Sequence, residues 1–197
     1  MILGGAKVAI ASQRYQPNKD LTTAYLLTTE ELPGAGWTTE LQQDVPTHAG
    51  SKGDHPEIER AKLMKSTTSR RLFKDAENSK SILVEVTPLA NETDAKSWVA
   101  SADQRTERKM SKWSDLKEYR VIGDVSVRNV EASRGMQYSM TLDKGLRNTV
   151  AVASCADNVY VLITCSDFGQ TWRLEDVIEV VQIQIDKVAV VKSIPNE

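Results

Sequence analysis

Two histidines offer the most versatile chemistry in this chain of 197 residues. His48 and His55 lie with Asp54 in a stretch rich in proline and glycine, residues 46–56. Imidazole nitrogens and carboxylate oxygens can bind a transition metal, and a bound metal can activate water for hydrolysis. The spacing of the two histidines matches no common ligand motif, so a solvated acidic loop is the competing interpretation. A metal site at His48, His55 and Asp54 is therefore a hypothesis that the residue types permit.

The other patterns typical of enzyme active sites do not occur in the sequence. There is no G-x-S-x-G motif that would expose a nucleophilic serine, and both cysteines lie far from the histidines along the chain. The glycine patterns that bind nucleotide phosphates, G-x-G-x-x-G and G-x-x-x-x-G-K-[ST], are also missing. We therefore predict that the protein is not an enzyme and has no cofactor.

Tryptophans suggest binding rather than catalysis, because an aromatic ring at the mouth of a loop can line a pocket or anchor a partner. Trp37 and Trp172 border turns that contain glycine, and Trp113 follows the end of a predicted helix. Trp98 lies on the apolar face of that helix and is predicted to be in the core. Trp37, Trp113 and Trp172 are thus the candidate ligand-binding residues, with core packing as the alternative for each.

The two cysteines lie in apolar segments on either side of a turn at Asp157 and Asn158. This arrangement predicts a β-hairpin, in which a two-residue turn would place Cys155 opposite Tyr160. Neither that register nor the one with a three-residue turn brings Cys155 and Cys165 close enough for a disulfide bond. We therefore expect two free thiols, packed in the core as small apolar side chains.

Composition and charge are typical of a globular domain. The apolar fraction is 40%, the charged fraction is 26%, and the net charge of -2 comes from acidic and basic residues that are mixed along the chain. A nucleic-acid surface would need a concentrated basic stripe. No apolar run approaches the roughly 20 residues that a membrane-spanning helix needs. We predict no nucleic-acid partner and no membrane span.

Hydrophobic periodicity predicts helices and strands that do not alternate regularly. Helices are expected over residues 20–32, 57–65, 91–112 and 171–188. Strands are expected over residues 37–45, 70–75, 80–89, 119–127, 136–142, 148–154 and 159–165. Local hairpins in this order predict an α+β fold, in which helices pack on an antiparallel sheet as an α/β sandwich.

The N-terminal residues, 1–19, are too polar for a secretory signal and are expected to form a flexible segment before a single domain at 20–197. Two interpretations of the compartment stay open on this observation. The protein is either cytosolic, or it is the mature region of an exported protein whose leader or anchor is outside this sequence.

The phrase LLTTEELPGAGW, residues 26–37, resembles a phrase that opens the mature domain of actinobacterial exported lipoproteins and sensor-type domains. The segments VYVLITCS, residues 159–166, and QIDKV, residues 184–188, are similar in order to the extracellular sensor domain of mycobacterial Ser/Thr kinases and to PsbP-like α/β/α sandwiches. Two departures are clear. Those kinase domains usually contain disulfide bonds, which are not expected in this chain. The cysteine that anchors such lipoproteins is also missing from this sequence.

The resemblance implies an extracytoplasmic, non-catalytic binding or sensing module at the cell surface. Its partner would be a small molecule or a protein, and it would reach a membrane only through a tether outside this sequence. The second hypothesis is a cytoplasmic interaction or scaffold protein, which is favoured by the mixed charge and by cysteines that are predicted to be free thiols. The third is a metal-assisted hydrolase that uses the loop of His48 and His55.

Overall fold

Seven strands and three α-helices form the part of the chain that the structure, a computed structural model, describes: residues 23–46 and 67–193. The strands are β1 (Thr38–Pro46), β2 (Thr67–Lys74), β3 (Lys80–Pro88), β4 (Leu116–Asp124), β5 (Ser133–Leu142), β6 (Gly145–Ala156) and β7 (Val159–Phe168). The helices are α1 (Glu92–Ala100), α2 (Ala102–Met110) and α3 (Leu174–Ser193), and a short 3-10 helix spans Thr29–Glu31. The predicted segment 1–19, most of the loop 46–56 and the helix 57–65 lie outside the described residues.

All strands pair antiparallel in one sheet, in the order β1-β2-β3-β7-β6-β5-β4. The predicted α+β fold is therefore confirmed. Strand β4 spans Leu116–Asp124 where 119–127 was predicted, and it contains a bulge between Val121 and Gly123, whose φ of +96° suits glycine. Among the described residues, no helix combines the length and apolarity needed to cross a bilayer.

The β6–β7 hairpin has a two-residue turn at Asp157 and Asn158, one of the two turn lengths that the sequence left open. Cys155 lies opposite Tyr160, and Cys165 lies opposite Val150 on the other face of the sheet. Both thiols are buried and free, as expected. The sheet is thus held by packing rather than by a disulfide bond between these strands.

Helix α3 covers one face of the sheet and forms the larger core. Its valines at 177, 180, 181 and 188, together with Ile185, are buried against side chains such as Val152 and Ile163. The acidic residues in the first turn and Lys192 in the last turn follow the helix dipole. This helix was predicted from the same pattern and is confirmed.

The helix predicted over 20–32 is wrong in its described part beyond residue 24. Leu26 and Leu27 are buried in the α3 core, but the chain around them is irregular up to the 3-10 helix. Its backbone groups bond to distant side chains instead of to a helical turn. Gln184 on α3 accepts from the Leu27 N–H and donates to the Tyr25 carbonyl, and Arg71 on β2 donates to the Leu27 carbonyl.

Helices α1 and α2 pack on the opposite face, and Ser101 separates them where one continuous helix was predicted. Asn91 caps α1 as expected, since its Oδ1 accepts from the Asp94 N–H at 2.8 Å. Helix α1 lies over β6, where the small side chains of Ala151 and Ala153 leave room for a close approach. Helix α2 then turns toward β4 and β5.

Candidate functional site

The helical layer of α1 and α2 covers only part of its face of the sheet and leaves a groove beside it. The sheet forms the floor of this groove and α2 forms one wall, around a cavity of about 480 Å³. Small-molecule sites in proteins typically measure about 300–1,000 Å³. The residues that line the cavity include Leu41, Arg70, Leu72, Leu83, Glu85, Lys109, Trp113, Tyr138, Met140, Arg147, Thr149 and Leu162.

A row of apolar side chains crosses the floor of the groove. Leu41 on β1 lies opposite Leu72 on β2, which lies opposite Leu83 on β3. Residues in register share a face of the sheet, so these three leucines point into the groove together. Leu162 on β7 lies beside this row, opposite Glu85, and Leu41 remains 39% exposed. Contiguous apolar surface of this kind marks binding sites more often than ordinary solvent-exposed surface.

A second row, beside the leucines, carries hydroxyl groups. Ser81 lies opposite Ser166, and Ser166 lies opposite Thr149. Tyr138 on β5 follows in the same register. The Thr149 and Ser166 hydroxyls share a hydrogen bond of 2.9 Å. Burial raises the pKa of Tyr138, although nearby Arg147 and a hydrogen bond with Thr149 act against that shift, so the phenol stays neutral and can donate or accept.

Arg147 on β6 lies beside the hydroxyl row, two residues before Thr149. Its Nη2 donates to Ser81 Oγ at 2.8 Å, and its guanidinium lies over the Phe168 ring at 5.9 Å. Among the described residues, no carboxylate forms an ion pair with Arg147. A half-buried guanidinium without a counterion attracts an anion from solution.

The opposite side of the floor carries an ion pair. Arg70 Nε lies 2.6 Å from Glu85 Oε1, although the N–H is not aligned as a hydrogen bond. The two residues are cross-strand partners on β2 and β3. Glu85 is the acidic residue in the lining of the groove, and this pairing neutralises its charge.

The α2 wall contributes two further cations. Arg105 lies over the rings of Trp98 and Tyr160 at 4.9 and 5.6 Å, and it donates to the Trp98 carbonyl at 2.7 Å. Lys109 lies 5.9 Å from the ring centre of Trp113, which is 40% exposed. Arg105 is thus fixed by the fold, whereas Lys109 and Trp113 stand at the mouth of the groove.

The groove is positively charged on a protein whose net charge is -2. Four basic side chains line it against the single carboxylate of Glu85, and Arg70 already pairs with that carboxylate. Low-dielectric walls strengthen the field of the remaining cations inside such a cleft. The arrangement combines an apolar floor with cationic ends.

The three tryptophans proposed as binding residues do not lie together. Trp37 and Trp172 stack at 6.3 Å between ring centroids and pack against the α3 core, on the face opposite the groove. Trp37 Nε1 also donates to the Pro33 carbonyl at 3.0 Å. Trp113 alone of the three lines the groove. Trp98, predicted to be in the core, contacts Tyr160 edge to face beneath α1.

The residues at the centre of the groove were not recognised from the sequence. Leu72 and Leu83 belong to strands that were predicted, but the alternation that marked β3 runs through Ile82, Val84 and Val86 on its other face. Arg147 lies three residues beyond the turn that opens β6, without any local motif. Only the order in which distant strands pair brings Arg147, Leu83 and Trp113 to one cavity.

Metal binding finds no support in the described part of the chain. Within residues 23–46 and 67–193, no three His, Cys, Asp or Glu side chains are grouped to hold a metal ion. His48, Asp54 and His55 lie outside these residues. The metal site therefore stays a prediction from the sequence.

Comparison with known proteins shows a likeness of fold. No known protein family and no curated protein matches this sequence. The structure is similar to the extracellular domain of PknH from Mycobacterium tuberculosis, with a TM-score of 0.59 and 9% sequence identity. The match covers 90% of this chain and 99% of the PknH domain. The chain has the fold of that extracellular domain.

A second solved structure is also similar, at a lower level. It is an uncharacterised protein from Mycobacterium smegmatis, an Rv0999 ortholog, with a TM-score of 0.46 and 8% identity over 79% of this chain and 90% of that one. The resemblance to the sensor domain of mycobacterial Ser/Thr kinases that the sequence suggested is found again in the likeness of fold to the PknH domain.

Proposed function

We propose that this protein is a non-catalytic, extracytoplasmic sensor-type domain that binds a small-molecule ligand in the groove. The observation that carries the proposal is the cavity of about 480 Å³ between α2 and the uncovered half of the sheet. Its leucine row is partly exposed to solvent, and no carboxylate among the described residues pairs with Arg147. A concave site of this composition suits a ligand better than a flat protein surface.

The chemistry of the nucleophilic groups supports a binding role. Burial raises the pKa of Cys155 to about 11 and raises that of the fully buried Cys165 further, so both remain protonated thiols at neutral pH. The hydroxyls of Thr149 and Ser166 bond to each other rather than to a base. A nucleophile needs an adjacent general base or a lowered pKa.

Two observations support an extracytoplasmic location. The phrase at residues 26–37 resembles the opening of exported domains, and the fold is that of an extracellular domain. In the structure the phrase is a folding unit: Leu26, Leu27 and Leu32 are buried, and Gly34 and Gly36 have φ values of +86° and +85°. These residues therefore stabilise the fold, and it is the fold that is similar to an extracellular domain.

The binding half of the proposal can be tested by thermal unfolding against a panel of lipids, sugars, peptides and nucleotides. A ligand of the native state raises Tm. Leu83→Trp fills the groove and should remove the rise that any hit produces. Leu146→Trp, on an exposed residue of β6 outside the groove lining, is the matched control and should keep it. Equal rises in both variants would place the ligand elsewhere.

The location can be tested separately. The complete gene is expressed in its own host, and intact cells are labelled with an amine reagent that does not cross membranes. We expect labelled protein before lysis, while a cytoplasmic control enzyme stays unlabelled. Labelling that requires lysis would contradict the extracytoplasmic location and favour the cytoplasmic alternative.

A further inference from the structure

We propose that the ligand of the groove is an amphiphile with one anionic head group, of the fatty-acid class, whose carboxylate binds at Arg147 and whose alkyl chain lies along the leucine row. This inference rests on the proposed binding function and specifies its ligand. It is carried by the position of a guanidinium without a carboxylate partner, which bonds to Ser81 on β3 beside Leu83 of the apolar floor.

The head-group site follows from the free hydrogen-bonding capacity of Arg147. A guanidinium has five N–H donors, and Ser81 Oγ accepts from only one of its nitrogens. Among the described residues, no carboxylate lies within ion-pair distance of it, so the remaining donors can take both oxygens of a ligand carboxylate. The neutral hydroxyl of Tyr138, whose pKa is raised by burial, can donate to the same group.

A head group with a single charge fits this site better than a phosphate does. Proteins that bind phosphorylated groups generally use clusters of arginines. Here Arg70 is paired with Glu85, and Arg105 on α2 is held by the Trp98 carbonyl and lies over the Tyr160 ring. Arg147 is therefore the groove guanidinium that is neither paired with a carboxylate nor held over the Trp98 and Tyr160 rings, and a single such cation matches a monoanion.

The tail site follows from the leucine row. Leu41, Leu72 and Leu83 lie in register on β1, β2 and β3, and the row continues through Thr164 on β7 to Ala151 on β6. Strands are spaced by about 4.8 Å, so the floor from β1 to β6 spans roughly 19 Å, which accommodates a medium-length alkyl chain. Burial of such a chain contributes about 0.8 kcal/mol per CH₂ group.

The mouth of the groove is suited to the same ligand. Lys109 and Trp113 lie together there, and a lysine over an aromatic ring presents both a cation and an apolar surface. The backbone places this end near Arg147. Leu116, three residues after Trp113, lies opposite Met140, and Met140 lies opposite Arg147.

The test is isothermal titration calorimetry of the full chain with four probes: dodecanoate, dodecanol, dodecyl phosphate and inorganic phosphate. We expect dodecanoate to bind, dodecanol to bind at least ten-fold more weakly, and inorganic phosphate not to bind. Dodecyl phosphate should bind more weakly than dodecanoate. Tighter binding of dodecyl phosphate would overturn the carboxylate assignment in favour of a phospholipid-type head group.

Variants of Arg147 test the head-group site. Arg147→Gln should weaken dodecanoate at least ten-fold and leave dodecanol unchanged, whereas Arg147→Lys, which keeps the charge, should recover most of the affinity. Arg120→Gln, at an exposed residue of β4, is the matched control and should have no effect. Urea unfolding of each variant shows whether the fold is intact.

The outcomes separate this inference from the proposed function. Equal binding of dodecanoate and dodecanol, or an Arg147→Gln variant that binds dodecanoate normally, would overturn the anionic head group while the groove remains the site. Failure of all four probes, with another class of compound stabilising the protein in a manner sensitive to Leu83→Trp, would overturn the ligand class alone.

Discussion

Asp103 at the start of α2 and Arg134 on β5 form an ion pair, with 2.7 Å between Oδ2 and Nη2, that joins the wall of the groove to its sheet. The Asp103 side chain is only 8% exposed. A hydrogen bond from the Tyr119 hydroxyl to the Asp103 carbonyl at 2.8 Å adds a second connection at the same point. These contacts set the position of α2, and therefore the width of the groove.

Replacing Asp103 by Asn should destabilise the protein by about 1–3 kcal/mol, because the buried guanidinium nitrogens of Arg134 lose their charged partner. The hydrogen bond with Asp103 is also the main reason that the pKa of Arg134 is raised. Urea unfolding measures the change. Asp124→Asn is the matched control, since Asp124 contacts the same arginine at 3.2 Å but is 91% exposed, and it should cost less than about 0.5 kcal/mol. Equal effects would contradict a special role of the buried pair.

Glu31 should make stability depend on pH. Burial acts to raise its pKa, but hydrogen bonds from Lys187 and from Thr28 outweigh burial and hold the pKa below the ordinary value of 4.5. A lowered folded pKa adds stability that is complete above pH 4.5 and is lost as the pH falls through the folded value.

The corresponding measurement compares wild type with Glu31→Gln by urea unfolding at several pH values. At pH 7 the variant should be less stable by about 0.5–1 kcal/mol, a small gap because the pair is partly exposed to solvent. The gap should shrink below pH 4.5. Glu30→Gln, at the exposed neighbouring residue, should show no such trend. A gap that stays constant down to pH 3 would contradict the assignment.

The two cysteines should be inert in the native protein. Cys155 and Cys165 are buried on opposite faces of the β6–β7 hairpin, and burial raises the pKa of both thiols. A thiol-reactive aromatic disulfide reagent at pH 8 should therefore release no chromophore from native protein and should react with both residues in denaturant. Rapid reaction of either thiol in the native state would show that the hairpin packing is different.

The packing contact between α1 and the sheet should not tolerate a larger side chain. Ala153 on β6 is fully buried beneath this helix. Ala153→Leu should destabilise the protein by about 1–3 kcal/mol through overpacking, as measured by denaturant unfolding. Ala100→Leu, at an exposed residue of α1 itself, should change stability little. A neutral Ala153→Leu variant would mean that α1 is not packed closely on β6.

Local patterns were sufficient to predict the β6–β7 hairpin, but they left its turn length open between two and three residues. The turn at Asp157 and Asn158 lies between two segments with strong apolar alternation, and the side-chain period of two then determines that Cys155 faces Tyr160. Helix α3 was also predictable, because its acidic first turn, its basic last turn and its apolar stripe agree with one another.

Long-range contacts explain what local patterns missed. The stretch around Leu27 has helical spacing, yet the side chains of Gln184 and Arg71 form hydrogen bonds with the Leu27 N–H and carbonyl. These long-range hydrogen bonds cannot be predicted from the sequence of the stretch alone. The groove depends on the pairing of β3 with β7, which joins segments that lie far apart in the sequence. The periodicity of a single segment cannot predict that Leu83 and Arg147 line the same cavity.

The most direct test of the groove as the binding site uses the four tryptophan side chains as reporters. Protein labelled with ¹⁵N at the indole nitrogens is titrated with dodecanoate, and the indole signals are followed by NMR. We predict that the Trp113 signal shifts, while those of Trp37 and Trp172, stacked on the α3 side of the sheet, stay in place. A saturable shift of Trp37 and Trp172 with an unmoved Trp113 would contradict the groove and place the ligand on the opposite face.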